Sequence, residues 1–152
     1  MKHIHNIFYK LGYCPENLPK INTSLIKKGK LNKIMILQTY DKNNNLTLYN
    51  KWYLNNTHKN IPYDFRVYFN EESLAFWLMN EGIISNKNLY VSVKQFNKKE
   101  INNLIRFLEN RFKLEKIFVN NNFLEFNSNN IIKIKQNIKS YIFPSMKFKF
   151  MI

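Results

Sequence analysis

The sequence predicts an α+β fold in which a similar order of helices and strands occurs twice. Amphipathic segments with helical spacing alternate with short segments in which every second residue is apolar. The 152 residues are 45% hydrophobic, which is enough for a buried core. The sequence contains no apolar run of about 18 residues and has a single cysteine, Cys14. These features exclude a transmembrane helix, a disulfide framework and a cysteine-rich zinc site.

The first block, residues 1–62, is predicted to run helix, strand, strand, helix. A short helix over residues 3–12 ends in a glycine suited to a left-handed stop. Two strands, residues 20–29 and 32–40, flank a Lys-Gly-Lys turn. An Asn-rich turn then caps the second helix, which ends at residues 58–62, where a linker begins. The apolar face of this second helix contains Leu46, Tyr49, Trp52 and Tyr53.

In the second block, residues 63–152, Asn70 is predicted to cap a helix that extends through Glu81 and is closed by Gly82. A strand over residues 88–96 follows, because its apolar residues alternate with polar ones. We expect the helix to pack in the interior on one face. This predicted buried face contains Leu74, Ala75 and Leu78.

The rest of the second block is predicted to be a helix, a hairpin and a helix. Asn97 and Glu100 form a capping box at the start of a strongly amphipathic helix. Residues 117–119 and 123–126 flank an Asn-rich turn, and a last helix stops before Pro144. The apolar positions of the two helices are Ile101, Leu104, Ile105, Leu108 and Phe112, followed by Ile131, Ile134, Ile138 and Tyr141. The first block therefore resembles the second with its front end missing.

The charge of the chain favours an anionic partner. Lys and Arg number 24 against 10 Asp and Glu, which gives a formal charge of +14. Aromatic residues interleave with lysines, as in residues 147–150, and this mixture suits phosphate pairing and base stacking. The alternative is an ordinary solvated basic surface. A membrane is not the expected partner, because no long helix has a Lys-rich face opposite a Trp/Leu face.

The lysines concentrate in two regions that we expect to contact a nucleic-acid backbone. One region is residues 20–33, and the other is residues 130–152, which contain five lysines and no acid. The predicted nucleic-acid-binding residues are Lys20, Lys27, Lys28, Lys30, Lys33, Lys94, Lys133, Lys135, Lys139, Lys147 and Lys149.

The composition also indicates a nucleotide bias in the gene. Asn, Lys and Ile account for 65 of the 152 residues, whereas Ala, Gly, Pro and Arg together account for 11. AT-rich codons encode the first set, so we expect an AT-rich organellar gene and a mitochondrial protein. The same bias explains the preference for Lys over Arg.

Residues 74–82 read Leu-Ala-Phe-Trp-Leu-Met-Asn-Glu-Gly. This tract resembles the signature helix of the LAGLIDADG homing endonucleases, in the variant form Leu-Ala-x-Trp-x-Met-Asp-Asp-Gly. Four further tracts resemble the family in the right order: residues 48–53, 58–62, 95–97 and 141–149. The likeness extends over residues 8–150.

The resemblance implies two αββαββα repeats related by a pseudo-twofold axis, with sheets that form a saddle over a DNA groove. It also implies two signature helices packed side by side, each ending in an acid. Divalent metals such as Mg²⁺ would bridge these acids and the scissile phosphates, and a two-metal cut requires both of them. Glu81 occupies the acidic position, and Lys59 and Lys149 match the two basic active-site residues of the family. The alternative for the two lysines is that they are simply members of a Lys-rich chain.

Three departures from the family pattern lead us to expect that this chain alone does not cut DNA. The chain begins near the second helix of the first repeat, so the first signature helix is expected to be missing and the second repeat near complete. Glu81, where the family has Asp, moves the carboxylate by one methylene, and such a shift of about 1 Å can slow a reaction roughly 100-fold. Only residues 83–87 lie between the signature helix and the next predicted strand, which leaves little ribbon for base readout. We therefore predict no metal site, with Glu81 the one candidate ligand.

The leading hypothesis is a non-catalytic nucleic-acid-binding protein derived from an endonuclease, acting as an RNA-binding component of an organellar ribosome. RNA is favoured over DNA, and other proteins of the assembly would cover the surface left by the missing helix. The alternatives are an intron-splicing maturase, and half of a split or dimeric endonuclease that cuts double-stranded DNA with Mg²⁺. A decaying reading frame without a function is a further possibility.

Overall fold

The computed structural model describes residues 2–26, 30–40, 43–54 and 58–150. The chain divides into two compact units, Met1–Tyr49 and Asn50–Ile152. The second unit begins before the predicted repeat boundary at residues 62 and 63, and Lys51, Asn60 and Ile61 each form hydrogen bonds within it. Compactness does not test a boundary between repeats, so that boundary stays a prediction.

The first unit has the predicted order of helix, two strands and the start of a helix. These elements are α1 (Lys2–Lys10), β1 (Ile21–Ile26), β2 (Lys30–Met35) and α2 (Asn43–Trp52). Gly12 follows α1 with a φ of 69°, the left-handed stop that the sequence predicts. β1 and β2 pair antiparallel, and the Lys-Gly-Lys turn between them lies outside the described residues, apart from Lys30.

The second strand is shorter than predicted, since it ends at Met35 rather than at residue 40. Met35 pairs with Ile21, and Pro19, two residues before Ile21, has no N–H to continue the ladder. The backbone beyond the hairpin bonds elsewhere, and the amide of Tyr40 donates to the Tyr13 carbonyl over 2.7 Å.

The second unit opens with short elements where a helix end and a linker are predicted. These are β3 (Tyr53–Leu54), β4 (His58–Lys59) and α3 (Phe65–Tyr68). Tyr53 therefore lies in a strand rather than on the helical face, which corrects that prediction. The amide of Asn60 donates to the Trp52 carbonyl over 2.7 Å, so the segment folds back against the end of α2.

An αββαββα repeat follows and confirms the predicted fold. Its elements are α4 (Glu71–Glu81), β5 (Ile83–Ser85), β6 (Asn88–Ser92), α5 (Lys98–Phe112), β7 (Phe118–Asn120), β8 (Phe123–Phe126) and α6 (Ser128–Ile138). Within this repeat, β5 is the strand that the predicted order omits. Asn86 and Lys87, both with positive φ, form the two-residue turn that joins it to β6.

The four strands form one antiparallel sheet in the order β5-β6-β8-β7. One face is buried, and its central residues pack in the same core as the buried residues of α4, α5 and α6. These sheet residues are Leu89, Val91, Leu124 and Phe126. β6 ends at Ser92 rather than at residue 96, because its partner β8 begins only at Phe123. The Val93 amide still bonds in register to the Asn122 carbonyl, but Asn122 lies in the β7–β8 turn with a φ of 64°.

The helix starts follow the sequence closely. Asn70 caps α4 by accepting from the Ser73 amide, and Asn97 and Glu100 form the predicted capping box of α5. None of the described helices is both long and apolar enough to cross a lipid bilayer.

The C-terminal end differs from the prediction. After α6, a 3-10 turn spans Lys139–Tyr141, and Tyr141 is 39% exposed rather than on the buried helical face. Helical structure resumes at Pro144, which begins a second 3-10 turn, Pro144–Met146. That turn leads into α7 (Lys147–Phe150), whose Phe150 is buried.

Candidate nucleic-acid interface

The helix α4 contains the signature tract and lies in the interior of its unit. Leu74, Ala75 and Leu78 have no exposed surface, which confirms the predicted buried face. The ring of Phe76 packs edge-on against Phe143, with centroids 5.5 Å apart. The helix is therefore held on several sides, and its carboxyl end has a defined position.

Gly82 ends this helix for reasons of space. Its φ of −69° is open to any residue, so it is not the left-handed stop typical of glycine at a helix end. A β-carbon at this position would lie 2.6 Å from the Leu78 carbonyl oxygen and 3.1 Å from a methyl of Leu89. Glycine lets the chain pass from α4 into β5 beside that carbonyl.

Lys149, one of the predicted active-site lysines, binds the end of α4. Its Nζ donates to the Met79 carbonyl over 2.7 Å and reaches the Asn80 carbonyl at 3.5 Å. The last carbonyls of a helix have no partner within the helix, and the negative end of its dipole attracts a cation. Lys149 therefore supports the helix that contains Glu81.

Glu81 is exposed and accepts a hydrogen bond from the Asn80 side chain over 2.8 Å. No group of three or more His, Cys, Asp or Glu residues that could hold a metal occurs among the described residues. Mg²⁺ prefers several oxygen ligands in octahedral geometry, and a two-metal centre needs paired carboxylates. One carboxylate beside an amide does not fit such a centre.

Lys59, the other predicted active-site lysine, contacts an aromatic ring. It is in β4, and its Nζ lies 6.0 Å from the centre of the Phe96 ring. No ion pair joins it to Glu81 within the described part of the chain.

The predicted nucleic-acid-binding lysines are distributed over several elements. In the first unit, Lys20 and Lys33 are exposed, Lys30 begins β2, and Lys27 and Lys28 lie outside the described residues. In the second unit, Lys94 follows β6 and Lys147 begins α7, both exposed. Three more lie on α6 or directly after it, in the helical layer: Lys133, Lys135 and Lys139. Lys133 also forms an ion pair with Glu115 over 3.8 Å.

The solvent face of the four-stranded sheet is not basic. None of its strands contains a Lys or Arg. Glu125 lies on this face, where it accepts hydrogen bonds from Asn88 over 2.7 Å and from the Tyr90 hydroxyl over 3.2 Å. The strands thus present polar, aromatic and acidic groups, and the positive charge of the unit lies elsewhere.

A groove between α3 and α5 brings together residues that the sequence reasoning missed. It is lined by all three arginines of the chain, Arg66, Arg106 and Arg111, together with Asn103, Phe107 and Asn110. The sequence feature that could have pointed to this groove is the rarity of Arg in a Lys-rich chain. That signal could not place the three together, because Arg66 lies on a different helix.

Comparisons with known proteins agree with this geometry. A sequence model of the LAGLIDADG DNA endonuclease family matches residues 1–141. A cytochrome b mRNA maturase, bI2 of Debaryomyces hansenii, is 28% identical over 151 residues, and the same maturase of Saccharomyces cerevisiae is 30% identical over 160 residues. These alignments cover 96% and 97% of this chain but 57% and 37% of the two relatives.

The chain is also similar to an intron-encoded endonuclease and to a homing endonuclease of known structure. The intron-encoded endonuclease ai4 of Dictyostelium discoideum is 25% identical over 154 residues, which covers 96% of this chain and 97% of that protein. The solved structure of the homing endonuclease I-WcaI bound to its DNA recognition sequence aligns with a TM-score of 0.75 and 24% identity. That alignment covers 98% of this chain and 70% of the neighbour, and at this identity it supports the fold alone. The curated relatives fit the maturase and endonuclease alternatives better than the ribosomal hypothesis.

Proposed function

This chain belongs to the LAGLIDADG DNA endonuclease family, and we propose that within it the chain acts as an RNA-binding, maturase-type protein that assists intron splicing. Two of the relatives that align with nearly the whole chain are mRNA maturases. Since the chain covers about half or less of their length, their activity is carried over here only as a proposal.

The observation that carries the proposal is the carboxyl end of α4. The signature helix presents one acid, Glu81, preceded by Asn80 and supported by Lys149. A nuclease of this kind needs two acids to hold metals on both the attacking and the leaving oxygen. Among the described residues, the end of this helix supplies half of that set, whereas RNA binding requires no such set.

The charge distribution supports the same conclusion. The formal charge of +14 favours a polyanion, yet the strand face that would lie over a DNA duplex has Glu125 and no basic residue. Phosphate contacts from lysines and arginines outside the sheet fix position without reading bases. Folded RNA is recognised through shape and unpaired nucleotides, and such dispersed basic groups fit it better than a long duplex groove.

The endonuclease hypothesis remains a second candidate because Glu81 is exposed and has no ion pair among the described residues. A second signature helix would then have to supply the other acid. A supercoiled-plasmid assay with Mg²⁺ or Mn²⁺ separates the two candidates, and we expect no cutting by the purified chain. Cutting that disappears in Glu81→Gln would overturn the proposal in favour of the nuclease.

The direct test of the proposal is to crosslink the protein to RNA in the native cell and sequence the bound fragments. We expect enrichment of intron sequence and its flanking exons, in a mitochondrial fraction. Enrichment of ribosomal RNA, with co-sedimentation of the protein through a high-salt ribosome wash, would instead support the ribosomal hypothesis. Both mitochondrial localisation and RNA preference are parts of this proposal, supported by the nucleotide bias and by the maturase relatives.

A further inference from the structure

The arginine groove is a concave surface formed by two helices of the second unit. It has a volume of about 550 Å³ and is lined by Arg66 of α3 and by Asn103, Arg106, Phe107, Asn110 and Arg111 of α5. The helices are held together by aromatic packing, since the rings of Phe65 and Phe107 meet edge-on with centroids 4.9 Å apart. A volume of a few hundred Å³ suits one or two nucleotides rather than a duplex.

The groove retains positive charge because two of its arginines have no acidic partner. Arg111 pairs with Glu71 over 3.2 Å, but neither Arg66 nor Arg106 forms an ion pair with any described residue. The acid nearest to Arg66 in sequence, Asp64, is engaged by Lys51 over 2.7 Å, and that hydrogen bond lowers the pKa of Asp64. Two exposed guanidinium groups therefore remain available to an external anion.

The groove and the solvent face of the sheet are separate surfaces of this unit. The buried face of α5, which contains Ile101, Leu104 and Leu108, packs in the same core as the inner face of the sheet. At helical spacing, Asn103, Arg106 and Asn110 fall on the other side of α5. A ligand in the groove therefore does not compete for the polar and acidic face around Glu125.

We propose that the arginine groove binds the backbone phosphate of an unpaired RNA nucleotide. A guanidinium group binds phosphate oxygens through two parallel hydrogen bonds and also stacks on a base. The neighbouring Asn103 and Asn110 offer amide donors and acceptors for the ribose or base, and half-buried Phe107 supplies an apolar wall. Unpaired nucleotides with splayed bases are typical of structured RNA, which is why RNA is favoured here over duplex DNA.

This inference rests on the proposed RNA-binding function, and its test separates the two. The probe is a fluorescein-labelled oligouridylate bound to the full chain, with affinity measured between about 50 and 200 mM salt. The test variant is the pair Arg66→Gln and Arg106→Gln. The rival variant is the pair Lys133→Gln and Lys135→Gln, which removes the same charge from α6. Circular dichroism and thermal melts check that each variant folds.

We expect the arginine pair to weaken binding at least tenfold and to lower the salt slope by about 0.7 for each lost phosphate contact. The lysine pair should change both quantities less. Arg66→Lys with Arg106→Lys should keep the salt slope but lose part of the affinity, because Lys cannot form the two-bond contact.

Three outcomes would count against the groove. Unchanged binding by the arginine pair, with the wild type binding RNA, overturns the groove and leaves the proposed function standing. Equal loss with single-stranded DNA and displacement by uridine monophosphate alone would indicate a free-nucleotide or general anion site instead of RNA. If the wild type binds no RNA at all, the proposed function itself fails.

Discussion

Replacing Lys149 by Met tests whether this lysine supports the signature helix. The ammonium group donates to the Met79 carbonyl over 2.7 Å at the end of α4. A hydrogen bond from a charged donor contributes about 1.5–3 kcal/mol, and attraction to the helix end adds about 0.3–1 kcal/mol. Ordering the lysine side chain costs up to about 1.5–2 kcal/mol, so the net contribution is about 1 kcal/mol.

Loss of about 1 kcal/mol should lower the melting temperature by roughly 2–4 °C in a chain of this size. The matched control is Lys147→Met, which removes the same charge from the same short helix, where the side chain is exposed. Thermal unfolding followed by circular dichroism should separate the two variants. Equal melting temperatures would refute the supporting role. Weaker RNA binding by the Lys149 variant at unchanged stability would assign the lysine to phosphate instead.

Two further substitutions test how the core repeat is held together. Asn130→Ala should destabilise the chain by about 2–3 kcal/mol in urea unfolding. The reason is that it removes two hydrogen bonds that the buried side chain makes with the backbone of Glu115. The control is Asn129→Ala at an exposed position, which should cost less than about 1 kcal/mol. Gly82→Ala should cost about 1–3 kcal/mol, because its β-carbon would lie 2.6 Å from the Leu78 carbonyl oxygen, and unchanged stability would mean that the helix end shifts freely.

Local signals account for the elements that the sequence predicted well. The start of α5 needs only Asn97 and Glu100, three residues apart, and both halves of the capping box form. The apolar positions of α5 repeat at helical spacing, so its buried face is also readable without knowledge of its neighbours. The same applies to α4, where the Asn70 cap and the buried tract lie within a dozen residues.

The sequence-based predictions fail where the limits of an element depend on contacts with residues distant in sequence. β5 is three residues long and shows no alternation, and it becomes a strand because it pairs with β6 across a turn in which Asn86 and Lys87 adopt positive φ. Lys rarely favours that conformation, so the turn gives no clear sequence signal. β6 ends early because its partner strand begins only at Phe123, and Asn122, which accepts from the Val93 amide, lies in a turn 29 positions further along the chain. No periodicity within residues 88–96 contains that information.

In the candidate site, too, some features follow from the sequence and others depend on contacts between distant residues. The resemblance identified Glu81 and Lys149 as matching positions, but only the folded chain brings Lys149 to the Met79 carbonyl, 70 residues away in sequence. The arginine groove depends on the packing of Phe65 against Phe107, which ties two helices whose relative placement no local pattern predicts. The sequence also did not show that the sheet face would lack basic residues. Net charge constrains the partner but not the surface on which the charge lies.

Nucleotide bias makes the arginines more informative than the lysines. In a gene that favours AT-rich codons, a positively charged position is usually encoded as Lys. The presence of a lysine in this chain therefore indicates little about the function of that residue. Arg differs from Lys in its planar, two-bond contact with phosphate and its ability to stack, so it is needed where geometry matters as well as charge. All three arginines of the chain line one groove between α3 and α5. If the bias alone governed their positions, they would be scattered over the surface as the lysines are.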